Sequence, residues 1–566
     1  MTSYIIAGAG ASGLYTAYRL LQSGKIKPGD TLQLFEWGPT HVGGRIHTYR
    51  FPKTMADGQY VEVGGMRFST DENFPRSIDS GHILVQNLIV ELGLQELVQP
   101  FVESPVRMYY LRGRTIYSNN ISPALLPYNF DADFLARGYG SQTADAILGD
   151  MTTLFAPGSD KWTRKDWCKY FTTGTVPEKA ATQSYPAGTP VHNIGYWNLL
   201  YDQLGDEGFD YVSDANGYTS NVINWNSADA MQANTDYGSN SAYSRLAGGY
   251  GLLFDSLAKN IVEMAAKVQS IPPIVMGHRL LNFEHDGAAF TCHFQDEQDG
   301  LTTVKGDYLF LAMPRRSLEL VAGGCRPDNV LNQEPVQLYL QSSINQPACK
   351  IAMLFDQAWW ADPKICHNMP VLIDKVGGPT ITDLPLRQIY YFANDAVGET
   401  GGGPYVLLAS YDDMQFDQFW RELEIIGERK VPMSMDYQPL TGPTAMPGNS
   451  PLVSLVMKQL AEVHGAAPGA IPAPVQTVFQ DWGLNPYGAG YHAWAAHYNI
   501  CDIMSKIRAP ATAILGTPMN LYITGSCYSF DQAWVEGALC VAESVLQDYL
   551  DLPPLAKFPA DYKLIC

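Results

Sequence analysis

Two apolar runs frame the first forty residues. Tyr4-Ile-Ile-Ala7 has the continuous apolar character of a buried strand, and Leu14, Ala17, Tyr18 and Leu21 then recur at helical spacing. A second run, Thr31 to Phe35, ends in Glu36. The pattern predicts strand, turn, helix, strand. The turn holds Gly8, Gly10, Ala11, Ser12 and Gly13. Gly8 suits a tight turn, Gly10 lets backbone approach a pyrophosphate, and Gly13 lets the helix lie on the strand. A phosphate would meet the free N–H groups and the positive dipole end of the helix. Glu36, roughly twenty residues further on, is placed to accept from a ribose hydroxyl. This unit predicts a dinucleotide site, without choosing between NAD and FAD.

Further along, Tyr60-Val-Glu-Val63 reads as a strand ending in Gly64-Gly65, where backbone can approach something flat. Strands are expected at Pro273–Met276, Phe290–Phe294, Tyr308–Ala312, Lys350–Phe355, Gln388–Phe392 and Tyr405–Ala409, with helix signals from Leu246 through Ser256 to Val268 and a helix from Leu452 to His464. Loop glycines at 401 to 403 separate two of those strands. From 119 to 244 the chain turns rich in aromatic, Asn, Asp, Ser and Gly residues, with short helical patches such as Thr143 to Phe155. That segment reads as an inserted helical region with long loops. No repeat or low-complexity linker divides the chain, so interleaved domains are expected.

Composition narrows the class. At 566 residues, 46% hydrophobic and 17% charged, the chain is an ordinary globular protein. A net charge of −20 disfavours nucleic acid and anionic membrane surfaces. It leaves open whether cationic substrates are preferred. Nine cysteines without a C-x-x-C pair read as reduced thiols, with one bridge left open, and eleven histidines show no metal-ligand spacing, so no metal is expected. No run suits a transmembrane helix, and the first strand begins too early for a signal peptide. These features lead to the expectation of a cytoplasmic protein.

The chain resembles a known family. Its G-A-G-x-S-G-L opening, Glu36, Gly43-Gly44-Arg45 and Gly64-Gly65-Met66-Arg67 are similar to blocks of the flavin amine oxidase superfamily, and most of all to the L-amino acid oxidases. The resemblance continues through Gly248-Gly249, Lys350, Thr382 to Tyr391, Leu521 to Ser526 and Ala533 to Ala538. It implies an α/β (α+β) fold. A Rossmann-like FAD-binding domain would comprise 1–50, 245–340 and 479–566, interleaved with a mixed-sheet substrate domain of 51–118 and 341–478. Residues 119–244 would form an inserted helical domain lining a substrate funnel. The cofactor would be non-covalent FAD, because Cys501 and Cys527 do not match the cysteinyl-flavin pattern. A homo-oligomer is expected.

The resemblance also implies roles. Gly8, Gly10, Ala11, Ser12, Gly13, Glu36 and Trp37 would hold the ADP half, with a backbone contact from Val275. Gly44 and Arg45 would face the pyrophosphate. Gly65, Met66, Arg67, Trp482, Gly525, Ser526, Ala533, Trp534, Val535 and Ala538 would complete the flavin site. Ser526 stands where the family carries an acid, and Ala533 where glycine is common. Arg67 would clamp a substrate carboxylate bidentately, unless an internal acid or the flavin phosphates claim it. Tyr411 is the candidate second hydroxyl, with Ser410 as the competing position. Lys350 would hold a water and manage a proton near the flavin, and burial would lower its pKa. Trp482 and Tyr487 would wall the cavity or pack in the core. Ala533 and Trp534 would border the substrate.

The implied reaction is oxidation of an L-amino acid by hydride transfer to the flavin, giving α-keto acid, ammonia and, with O2, hydrogen peroxide. Two alternatives share the architecture: an amino acid 2-monooxygenase and an amine or polyamine oxidase. The aromatic residues Trp225 and Tyr237 would suit an apolar pocket as well as the acidic surface suits a cationic one.

Overall fold

A computed structural model describes residues 1–56, 58–236, 243–392, 403–427 and 443–566. Tyr237, Gly401 and Gly402 lie outside the described residues. At the centre is a parallel sheet of five strands: β1 (Ser3–Ala7), β2 (Thr31–Phe35), β3 (Ile274–Val275), β4 (Tyr308–Leu311) and β5 (Leu521–Ile523). Their order is β3-β2-β1-β4-β5, and every pairing is parallel. β1 is the middle strand, which is why its run is apolar throughout and buried from Tyr4 to Ala7. The crossover after β1 is helix α1 (Ala11–Gln22), which packs against α2 (Gly251–Ala265) and α3 (Val535–Leu550).

The two ends of the chain are joined beneath this sheet. Arg19 on α1 pairs with Glu543 on α3 at 3.0 Å, with side chains 3% and 0% exposed. Tyr15 also donates to Glu543 at 2.8 Å. Removing one partner would strand a buried charge at a cost of about 3–5 kcal/mol, so this triad fixes α3 against the nucleotide-binding turn.

A second sheet of eight strands stands beside the first. Its order is 444–446, 476–481, 348–355, 405–413, 388–392, 377–382, 108–111, 114–117. All neighbours are antiparallel except 377–382 with 108–111, so the sheet is mixed. Lys350 is the third residue of the fully buried strand Ala348–Phe355, not its first. A short strand, Tyr243–Leu246, joins Phe68–Ser69 to Val98–Pro100.

Residues 119 to 236 are largely helical. Ala144–Phe155 and Arg164–Thr173 begin at Thr143 and Thr163, whose hydroxyls accept from the first turn, and Thr163 with Asp166 makes a capping box. The long helix Tyr196–Asn216 is interrupted at Gly205, where φ is +69°. Ser227–Asp236 packs against Ala144–Phe155.

One expectation is corrected here. Cys168 and Cys566 form a disulfide with Cα atoms 5.3 Å apart, and the other seven cysteines are free. The partners lie 398 positions apart. Only the return of the C-terminal tail to the helix Arg164–Thr173 brings them together, so no spacing rule could reveal the pair. Among the described residues, no helix is long and apolar enough to cross a membrane.

Candidate functional site

The mouth of the parallel sheet opens into a cavity of about 810 Å³. Gly8, Gly10, Ala11 and Ser12 line it from the β1–α1 turn, and Glu36 and Trp37 from the end of β2. Gly8 has φ +107°, and an added Cβ would lie 2.4 Å from the Ala312 carbonyl oxygen. A Cβ on Gly13 would lie 1.9 Å from the Gly8 carbonyl oxygen. These two glycines are therefore required for chain packing. At Gly10 a Cβ would meet nothing nearer than Gly44 Cα at 4.0 Å, so that glycine leaves space on the cavity side. The first turn of α1 has no side-chain cap and no acid, leaving its N–H groups for an anion.

Glu36 accepts from Ala9 N–H at 2.7 Å and from Gly38 N–H at 2.8 Å. Burial pushes its carboxyl up, and those backbone donors oppose the shift. Trp37 is held beneath Arg279, whose guanidinium lies 5.0 Å from the ring centre.

Arg45 enters the same cavity from the second glycine turn. It donates to Gly490 O at 3.0 Å and to Ser526 Oγ at 3.3 Å, and contacts His492 Nδ1 at 3.4 Å. Among the described residues, no carboxylate lies within ion-pair distance of it. Burial lowers its pKa, and the same burial, with Arg45 beside it, drives His492 well below the ordinary histidine range. His492 Nε2 and Gln532 Oε1, the latter a cavity-lining side chain, are buried without a hydrogen-bond partner. A half-buried cation without a counter-ion among the described residues, and orphaned polar atoms beside it, fit a bound pyrophosphate and a flavin with polar edges.

Gly525, Ser526, Ala533, Trp534, Val535 and Ala538 line this cavity from the β5–α3 region, and Gly65 and Gly44 from the other wall. Ile46, Gly65, Tyr491, Ala533, Trp534 and Val535 also line a second pocket of about 90 Å³, so the two share a wall. Gly64, Met66, Arg67, Tyr218, Asn221, Tyr250 and Tyr411 complete that second pocket.

Arg67 is the charged group in the small pocket. Its Nη1 pairs with Glu103 Oε1 at 2.6 Å. The guanidinium lies 4.3 Å from the Tyr243 ring centre and 5.4 Å from that of Phe101. Tyr243 in turn stacks on Trp534 at 5.6 Å, and Trp534 meets His82 edge-on at 4.8 Å. Burial works against the charge on Arg67, but Tyr390, Tyr218, Tyr243 and Glu103 outweigh it and raise its pKa. The arginine thus stays protonated in a dry aromatic cage.

Lys350 and Tyr411 are register partners on adjacent antiparallel strands, which puts Lys350 Nζ 4.4 Å from the Tyr411 ring centre. Nζ donates to Gly64 O at 2.6 Å and to Glu62 O at 3.1 Å, gripping the strand end that carries Arg67. Burial lowers the Lys350 pKa to about 7, with Glu62 opposing and Arg67 adding to the shift. Burial raises Glu62 to about 7 as well, against hydrogen bonds from Tyr250 N–H and Thr48. Two buried groups held near neutrality behind the pocket are candidates for proton handling.

Some sequence candidates stand back from the cavities. Trp482 is buried, donates to Val63 O at 2.7 Å and meets Tyr487 edge-on at 5.1 Å; Tyr487 lines the large cavity and Trp482 does not. Val275 does not line it either, because its carbonyl accepts from Glu36 N–H, and His278, Arg279 and Leu280 take the wall beside it. Gly13 and Lys350 support the lining without joining it. Tyr218, Asn221, Glu103 and Tyr390 were missed by sequence reasoning. The first two come from the helical insertion, where no motif distinguishes them. Tyr390 stood within a block matched to the family.

Residues 11–543 match the family model described as flavin containing amine oxidoreductase. The chain belongs to that family. As a flavin-dependent amine oxidoreductase whose cradle is built for a dinucleotide, it takes FAD as its cofactor. Similar proteins include Aplysianin-A of Aplysia kurodai, 26% identical over 96% of this chain and 89% of the relative. Achacin of Lissachatina fulica is 23% identical over 96% and 92% of the two chains. An L-amino-acid oxidase of Siganus canaliculatus is 21% identical over 94% and 82%. Among solved structures, a putrescine oxidase bound to putrescine aligns with a TM-score of 0.61 at 14% identity, covering 97% of this chain and 99% of that one. At that identity the likeness concerns the fold alone.

Proposed function

We propose that this flavin enzyme oxidises L-amino acids to the α-keto acid, ammonia and hydrogen peroxide. The supporting observation is Arg67, a largely buried, charged guanidinium inside the small pocket that shares a wall with the cofactor cavity. A simple amine or polyamine would bring no anion to meet it. An α-carboxylate would find a fork of donors with polar Tyr411 and Tyr218 beside it, which suits bidentate binding in a dry site. The naming of L-amino-acid oxidases among the relatives supports the same reading.

Bound FAD supplies the electron acceptor for the substrate Cα–H bond and returns the electrons to O2. The chain's own residues bind, orient and manage protons. Arg67 holds the carboxylate, while the Tyr243–Trp534 stack and Tyr250 exclude water and strengthen that contact. Lys350 and Glu62, both held near neutrality by burial, lie behind the pocket, where Lys350 grips the backbone carbonyls of Glu62 and Gly64 and so steadies Arg67. Water then hydrolyses the imino acid, so L-amino acid, O2 and H2O yield keto acid, NH3 and H2O2. We further propose that residues 119–244 act as a distinct helical domain contributing Tyr218 and Asn221 to the pocket. The discontinuous segments 1–50, 245–340 and 479–566 would act together in cofactor binding, and 51–118 with 341–478 in substrate binding.

The Cys168–Cys566 bridge favours an oxidising compartment over the cytoplasm. A panel of the twenty amino acids, assayed for peroxide, keto acid, amide and CO2, tests the reading. Keto acid and peroxide in equal amounts support it. Amide with CO2 would instead identify a 2-monooxygenase.

A further inference from the structure

The sulfurs of Cys168, Cys501 and Cys566 all lie within 4.8 Å of one another, although only Cys168 and Cys566 are bridged. The Cys501 thiol donates to the Cys168 carbonyl at 3.3 Å, and all three residues are partly accessible. Cys501 sits on helix Ile500–Lys506, which packs against Arg164–Thr173, the helix of Cys168. Their proximity is therefore set by two packed helices and does not depend on the tail. Cys566 is brought to them by the tail alone.

We propose that these three sulfurs form an internal thiol–disulfide exchange site that docks and releases the C-terminal tail. The Cys501 thiolate attacks Cys168 Sγ, a Cys168–Cys501 bond forms, and the Cys168–Cys566 bond breaks. Cys566 leaves as a thiolate and takes up the proton that Cys501 gave up. One disulfide and one thiol are present before and after, so no oxidant or reductant is consumed. Burial pushes the Cys501 thiol up to about 12, which keeps the exchange slow and the two linkages separable.

The tail state reaches the active site. Arg164 lies one helical turn before Cys168 on the same face. It donates to Lys563 O at 3.2 Å, stacks 4.2 Å from the Tyr562 ring centre and pairs with Asp531. Tyr562 donates to Glu536 in the first turn of α3. Asp531 and Glu536 flank Ala533, Trp534 and Val535, the wall shared by both cavities. Release of Cys566 would remove the covalent hold on this cluster.

The test uses the full-length holoprotein, incubated at neutral pH, quenched in acid and digested with pepsin without reductant. Mass spectrometry should find both Cys168–Cys566 and Cys168–Cys501 peptides in the native chain, and only the first in Cys501→Ser. Cys566→Ser treated with diamide should acquire the Cys168–Cys501 bridge. A native digest with the Cys168–Cys566 pair alone after days of incubation, or Cys566→Ser that keeps both thiols in diamide, overturns the proposal.

Discussion

Arg67 and Glu103 form an ion pair at 2.6 Å, so the cation expected to meet a substrate carboxylate already has a carboxylate partner. Glu103 is the more exposed of the two, at 34% against 12%. A substrate must therefore share Arg67 with Glu103 or displace it. Arg67→Ala is expected to raise KM for amino acids roughly 10²–10³-fold, the scale of losing about 3–4 kcal/mol from a buried charged contact. Glu103→Gln is expected to lower KM with little change in kcat, because it removes the competitor and keeps the shape. Steady-state kinetics on both variants checks this, and an Arg67→Ala enzyme with unchanged KM would refute the clamp.

Lys350 should set a pH dependence. It is protonated below about 7 and neutral above, because burial disfavours its charge. The half-reaction it serves should show an ionisation near neutrality that vanishes in Lys350→Met. Glu62 titrates in the same range, so the apparent value belongs to the pair, and Glu62→Gln should move it. Stopped-flow profiles from pH 6 to 9, as a roughly bracketing range, separate flavin reduction from reoxidation. Identical profiles in native enzyme and Lys350→Met would remove Lys350 from proton handling.

Arg45 should govern cofactor retention. It is half-buried, lines the large cavity and has no carboxylate partner among the described residues. Arg45→Ala should weaken FAD binding by about 10²-fold or more, the loss expected for a charge-assisted phosphate contact. Flavin released on desalting measures it. A variant that keeps its full flavin content would show that the pyrophosphate rests on the α1 turn alone.

Acid should destabilise the fold through His464. Its Nδ1–H donates to Leu460 O at 2.8 Å, and Nε2 lies 2.8 Å from the Tyr391 hydroxyl in a fully buried layer that disfavours a charged ring. Burial lowers its pKa to about 4. Below the unfolded value of about 6.5 the unfolded chain binds a proton that the folded chain refuses, so stability falls by about 1.4 kcal/mol per pH unit from there down to the folded pKa. His464→Gln should flatten that part of the curve of Tm against pH. An unchanged slope would assign the acid lability elsewhere.

The nucleotide cradle was legible because glycine sterics are local: Gly8 and Gly13 sit where a Cβ would strike backbone, whatever the rest of the chain does. Glu36 was legible for a similar reason, as the residue following a central strand. The substrate pocket was harder to read. Glu103 meets Arg67 across 36 positions, and Tyr218 reaches the pocket from an insertion whose composition resembles any polar helical region. Ser526 looked like a lost acid. In the fold its hydroxyl accepts from Arg45, a guanidinium that has no carboxylate partner among the described residues beside the cavity. Trp482 had the residue type of a cavity wall, but its indole N–H is committed to Val63 O in the layer behind.

The central claim is that Arg67 makes a carboxylate the handle by which this enzyme grips its substrate. The most direct measurement is anaerobic stopped-flow reduction of the flavin by an L-amino acid and by the amine that differs only in lacking its carboxylate. Rapid bleaching by the amino acid is expected, with the amine slower by orders of magnitude at equal concentration, and this difference should be lost in Arg67→Ala. Equal bleaching by both compounds in the native enzyme would contradict it.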